Sequence, residues 1–131
     1  MKHILTILSF LLLSYLLTSC EKKEEILYRW KNTSGIGYVW KGFGNKDTHQ
    51  KYQGNVKNGK PDGLGFLTYP NGYKYVGSWK NGEHNGQGTY SHTDGRKYTG
   101  EYKDGYRKNG TEYDKYGNIE GKYENGKYIE K

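Results

Sequence analysis

The sequence predicts an all-β fold: one elongated antiparallel sheet of consecutive β-hairpins, following an N-terminal signal helix. Three observations carry this expectation. The first is a fixed period: Lys51/Lys74/Lys97, Tyr52/Tyr75/Tyr98, Gly54/Gly77/Gly100, Val56/Trp79/Tyr102 and Gly59/Gly82/Gly105 fall 23 residues apart, the mark of a stacked repeat. The second is composition. With 20 Gly and 15 Tyr but only 32% hydrophobic residues, the chain cannot build a thick aliphatic core; it suits a thin sheet whose aromatic rings supply the buried area. The third is turn chemistry. Asn81-Gly82 and Asp94-Gly95 are hairpin signals, because Asn, Asp and Gly tolerate the positive φ of tight turns. Gly recurs too often for a helix in the mature chain, and the periodic aromatics argue against disorder.

Taken in order, residues 1–19 read as a signal peptide. Met1-Lys2-His3 precedes an apolar run over residues 4–17, a charged-then-apolar layout typical of export signals. The run is shorter than the ~20 residues a spanning helix needs. It ends Leu17-Thr18-Ser19-Cys20, which resembles the lipobox of bacterial lipoproteins. That resemblance implies cleavage before Cys20, a diacylglycerol on its thiol, acylation (palmitate-type) of the new amino group, and residence in the cell envelope. Glu21 in place of Asp favours the outer membrane. Several acyl chains anchor stably where one does not. The alternative is an ordinary signal peptide with an incidental Cys. Cys20 is the sole cysteine, which excludes an intramolecular disulfide and a Cys-based zinc site.

Residues 20–27 read as the lipidated Cys and a solvated tether, Glu21-Lys22-Lys23-Glu24-Glu25, with no apolar side chain to bury. Residues 28–50 read as a degenerate first repeat or cap, since Tyr28-Arg29-Trp30-Lys31-Asn32 and Gly35-Ile36-Gly37-Tyr38-Val39-Trp40 echo residues 78–81 and 86–90. Terminal repeats are commonly atypical. Residues 45–49 look like a polar loop. The units proper are 51–73, 74–96, 97–118 and a partial 119–131.

Within a unit, Tyr75, Gly77 and Trp79 alternate with Val76, Ser78 and Lys80, so a strand puts the first three on one face. Gly86, Gly88, Tyr90 and His92 share a face of the return strand. Gly on that face leaves room for a ring to lie over the backbone, stacking consecutive hairpins. The pattern Tyr75-Val76-Gly77-Ser78-Trp79-Lys80-Asn81-Gly82, then Gly86-Gln87-Gly88-Thr89-Tyr90, closing on Asp94-Gly95, resembles the MORN (membrane occupation and recognition nexus) repeat. The resemblance spans residues 51–131. It departs at Asp62 and Asn85, where the family usually has His, and in the third unit, where Gly110-Thr111 stands in place of Gly-x-Gly. Those later units resemble the divergent variant of bacterial secreted and antitoxin-like proteins.

No catalytic constellation emerges. Gly-x-Gly at Gly35/Gly37, Gly63/Gly65 and Gly86/Gly88 lacks the following helix that a phosphate loop requires and reads as repeat packing. His84 and His92 lack a third ligand and read as solvated or turn residues. Glu83, Glu101, Asp104 and Glu112 lie among lysines and read as a solvated face. The expectation is a non-enzyme with no metal and no cofactor.

The formal charge is +7, or +6 without Lys2. Lys51/Lys74/Lys97 and Lys57/Lys80/Lys103 recur at the repeat period. Export disfavours nucleic acid as partner; anionic lipid headgroups, an envelope protein or a glycan fit better. The family resemblance implies a binding or scaffolding module, with Tyr52, Tyr75, Trp79, Tyr90, Tyr98, Tyr102 and Tyr113 paving a groove rimmed by Lys. An exported immunity or antitoxin-like role, or a glycan-binding accessory of the envelope, is the alternative.

Overall fold

The structure, a computed structural model, describes residues 23–131. The expected signal peptide, the Cys20 lipid site and the first tether residues lie outside the described residues. The strands are β1 (Glu24–Lys31), β2 (Tyr38–Lys41), β3 (Gln50–Lys57), β4 (Lys60–Thr68), β5 (Lys74–Lys80), β6 (Glu83–Ser91), β7 (Lys97–Lys103), β8 (Tyr106–Tyr113), β9 (Ile119–Glu124) and β10 (Lys127–Glu130). They form a single open antiparallel sheet in the order β10-β9-β8-β7-β6-β5-β4-β3-β1-β2, and no helix occurs among the described residues. The all-β expectation holds.

Two kinds of turn build the meander. Inside each hairpin, Asn58-Gly59, Asn81-Gly82, Asp104-Gly105 and Asn125-Gly126 have φ of 49–52° at the first residue and 72–86° at the glycine, the doubly left-handed turn whose twist matches paired strands. Asp94-Gly95 instead joins successive hairpins. There the His92 N–H donates to the Arg96 carbonyl and the Asp94 carboxylate accepts from the Arg96 backbone. The Asn71 side chain braces its connection in the same way; in the third it is the first turn residue, Asp114, whose carboxylate accepts from the Tyr116 and Asn118 backbones.

The buried face is tyrosine over glycine. A Cβ added to Gly65, Gly88 or Gly110 would lie within 3 Å of the Tyr52, Tyr75 or Tyr98 side chain. In each case ring and glycine belong to the same hairpin, so this packing does not stack consecutive hairpins as the sequence suggested. Hairpins are joined edge-to-face: Tyr52–Trp79 at 5.1 Å and 76°, and Tyr75–Tyr102 at 5.1 Å and 87°, the geometry favoured by the ring quadrupole. The same tyrosines also mend the ladder. The three hairpins β3–β4, β5–β6 and β7–β8 shift register after Gly54, Gly77 and Glu101 respectively. At that shift the tyrosine hydroxyl donates to the carbonyl of Asn55, Ser78 or Glu101, at 2.6, 2.9 and 3.0 Å. A backbone acceptor left over by a bulge is thereby satisfied.

The N-terminal unit departs from the expected order. β1 begins at Glu24, inside the stretch read as tether, because Glu24 and Glu25 find ladder partners in Asn55 and Gly54. β1 rather than β2 lies beside β3, so the first hairpin is turned round. The chain must then cross β1 to reach β3, and it does so on the outer face. Gly44 sits over the Tyr28 ring, leaving no space for a Cβ, and the Trp30 indole donates to the Phe43 carbonyl. Gly35 and Gly37, at φ of 73° and 80° with open space around them, serve a turn and not ring packing.

Turned round, the first hairpin places Trp40 on the inner face. Its ring lies 6.0 Å from that of Trp79, although their strands are four apart in the sheet. In a flat sheet four strand spacings would be about 19 Å. The sheet is therefore strongly curled, and its edge strand folds back over the concave face. This is how an open sheet buries Leu27, Tyr52, Leu67, Tyr75, Trp79, Tyr98 and Tyr102.

Candidate functional site

Beyond Trp40 the concave face opens into a hollow of about 530 Å³, lined by Tyr69, His84, Tyr90, Tyr102, Tyr106, Arg107 and Tyr123, with the turn residues Gly105 and Gly126 at its side. Repeat arithmetic places its central residues. Pro61, His84 and Arg107 are 23 apart and pair with Val56, Trp79 and Tyr102 across their hairpins. One position thus carries a buried proline, an imidazole and a guanidinium in successive units.

His84 lies flat on Tyr75, with centroids 3.6 Å apart and planes 14° apart, and meets Trp79 edge-on. Burial, helped by the positive charge of Arg29, lowers its pKa to about 3, so the ring is neutral and offers one donor and one acceptor. Arg107 pairs with Glu112, approaches the Tyr123 hydroxyl at 3.4 Å and lies 4.7 Å over the Tyr98 ring. Arg29 reaches from β1 to Glu83 on β6 at 3.3 Å, its guanidinium 4.3 Å over Tyr38. Each arginine of the concave face is thus matched by a glutamate. The Tyr69 phenol is pushed up to about 12 by burial and stays protonated, edge-on to Tyr90 at 5.5 Å. The Tyr102 hydroxyl is buried with no hydrogen-bond partner among the described residues; the Arg107 guanidinium is near without meeting hydrogen-bond geometry.

The lysines stand elsewhere. Lys51, Lys74 and Lys97 alternate with the inner tyrosines and therefore point outward, in a row linked through Thr68 and Ser91. They do not rim the aromatic groove. Exposed Leu64, Phe66 and Val76 share their outer face.

Of the residues expected to pave a groove, Tyr52, Tyr75 and Tyr98 are 0% exposed, and Trp79 and Tyr102 are also buried. They are the core, with no ring face left for a ligand, though Tyr102 forms part of the floor of the hollow. Tyr90 lines it as expected. Tyr113 is on the wrong face. The return strand of the third unit is one residue short, so Gly110 takes the place of Gly88 and Glu112, not Tyr113, pairs with Tyr98. Such a slip reverses the facing of every residue beyond it: Glu112 turns inward to Arg107, and Tyr113 turns outward under the Lys97 ammonium, 5.3 Å away. The missing residue also relieves a constraint, since Gly63 and Gly86 hold φ of 109° and 92° where Asn109 now stands.

Tyr69, Arg107 and Tyr123 escaped the sequence reading, and Glu112, expected on a solvated face, instead turns inward to Arg107. The visible signal was the 61/84/107 register, which sets three unlike side chains in one slot. His84, expected as a solvated or turn residue, is instead stacked in the floor. Among the described residues no three His, Cys, Asp or Glu side chains cluster as metal ligands.

No curated protein matches the chain. The family model of the MORN repeat matches residues 52–72 and 75–95, which are the hairpins β3–β4 and β5–β6 with the connections that follow them. With tyrosine over glycine, the bulge-capping hydroxyl and the Asn-Gly turn all recurring in these two units, residues 52–72 and 75–95 are MORN repeats, a repeat that suggests a binding or scaffold module.

Proposed function

We propose that this chain is a lipid-anchored protein of the bacterial cell envelope, at the outer membrane, whose curled MORN sheet is a non-catalytic binding or scaffolding module. The observation that carries it is the division of labour between the two faces: an aromatic hollow inside, whose lining cation, Arg107, is paired with Glu112, and a basic, partly apolar surface outside. The outer Lys51/Lys74/Lys97 row suits anionic headgroups or an acidic envelope protein. The sequence Leu17-Thr18-Ser19-Cys20 supports the anchor, and only Glu21, Lys22 and Lys23 separate Cys20 from β1. At ~3.5 Å per residue, so short a tether keeps the sheet against the membrane that holds it. In the anchored chain, Cys20→Ala is expected to move the protein from the membrane pellet to the soluble fraction and to abolish labelling by a clickable fatty acid. Retention in the pellet without label would remove the lipid anchor from the reading.

A further inference from the structure

We infer that the concave hollow between β5 and β9 is a binding site for a neutral oligosaccharide. The inference rests on the binding-module reading above and names the chemistry of its ligand.

The lining sets the class. Tyr69, Tyr90 and Tyr123 present aromatic surface, and Tyr106 stands 79% exposed at the mouth. Sugar rings carry one face of C–H groups that pack on such surfaces, while their hydroxyls need donors and acceptors nearby. The hollow supplies both: phenol hydroxyls, the Arg107–Glu112 pair and a neutral imidazole at His84. Its volume falls within the range typical of small-molecule sites.

Other ligands fit less well. Arg107 and Arg29 are each already matched by a glutamate, and the lysine row lies on the opposite face, so nothing in the hollow selects an anion. An extended peptide gains its affinity by adding to an open strand edge. The hollow lies on the face of the sheet, where β5 to β9 are each paired on both sides, and a peptide there would leave its own backbone groups without ladder partners. A polyol brings hydroxyls that pair with side chains.

The second observation is the Tyr102 hydroxyl. It belongs to a residue only 3% exposed, lines the hollow and has no partner. A buried, unsatisfied donor costs stability in the free protein. A sugar hydroxyl placed between it and Arg107, its charged neighbour, completes the bond.

The full chain, purified in detergent, is titrated calorimetrically with cellotetraose, maltotetraose and chitotetraose, with tetragalacturonate and a Ser/Thr/Val octapeptide as controls. At least one neutral oligosaccharide is expected to bind, and Tyr102→Phe is expected to weaken it about tenfold, as for one lost hydrogen bond, without lowering the melting temperature. Arg107→Lys, which keeps charge but loses the planar fork, is expected to weaken it as well. Failure of all three sugars to bind overturns the inference, as does equal affinity in Tyr102→Phe or preference for the acidic sugar. Binding of the octapeptide alone overturns the sugar assignment while leaving the module reading intact, and the Cys20→Ala fractionation tests the anchor separately.

Discussion

Over β3 to β5 the concave face is filled: Trp40 folds back from the sheet edge onto Tyr52 and Trp79, at 5.9 and 6.0 Å, and Arg29 is tied across to Glu83. Over β6 to β9 the same face, built on the same repeat, is open. The difference does not lie in the repeat itself, since tyrosine over glycine recurs in both halves. It lies in what the flanking strands bring back over it. The N-terminal hairpin is turned round and carries a tryptophan inward; the C-terminal hairpin β9–β10 ends the sheet with β10 wholly exposed. A curled repeat sheet therefore becomes core where an edge strand returns over it and becomes a site where none does.

The sharpest way to break this comparison is to truncate a ring in each half. Trp79→Ala is expected to cost about 3–5 kcal/mol, as large buried aromatics do, because its ring sits between Tyr52, Tyr75 and Trp40. Tyr123→Ala, in the open half, is expected to cost less than half as much by thermal denaturation. Equal losses would mean that the open half is as fully packed as the other.

Acid probes the boundary between the halves. The folded pKa of His84 is about 3 against about 6.5 in an unfolded chain, so the unfolded state binds the proton first. Stability is then full above pH 6.5 and is lost as pH falls from 6.5 towards 3, by on the order of 4 kcal/mol. Arg29, stacked Tyr75 and edge-on Trp79 and Tyr102 surround the imidazole, with Glu83 paired to Arg29. His84→Phe is expected to remove this component, leaving the carboxylate contribution; the difference between the two pH–stability curves measures it. Parallel curves would show that His84 protonates freely and that the floor is wet.

The smallest expected effect concerns glycine. Gly65→Ala places a methyl where the Tyr52 ring lies and is expected to cost about 1–3 kcal/mol, as overpacking does. Gly42→Ala, with open space around it and no left-handed φ, is expected to be neutral or to stabilise by about 0.5 kcal/mol through the unfolded chain. Similar melting temperatures for the two variants would deny that the ring needs the glycine.

Much of this was legible before any coordinates. The period located the strands from Lys51 onward, and Tyr75 with Gly88 announced the ring that covers it. Three things were hidden, each for a physical reason. The return of Trp40 depends on twist accumulated over several strands, which no local pattern records. The reversal of β1 and β2 depends on a connection, residues 42–49, that has no repeat to align with. The exchange of Tyr113 for Glu112 turns on one missing residue, which a tyrosine in the matching place conceals, because residue type repeats there while parity does not. The same parity turns Lys51, Lys74 and Lys97 outward, away from the groove they are expected to rim, because they alternate with the inner tyrosines.

Because each tyrosine covers a glycine and caps a carbonyl of its own hairpin, a unit is closed before its neighbours arrive. Evolution can then lengthen or shorten such a ribbon by whole 23-residue cassettes, each joint repeating the same strand ladder and one ring edge against the next. The reach of the trough, and with it the span of whatever lies along it, becomes a quantity set by gene duplication and not by redesign of the interior.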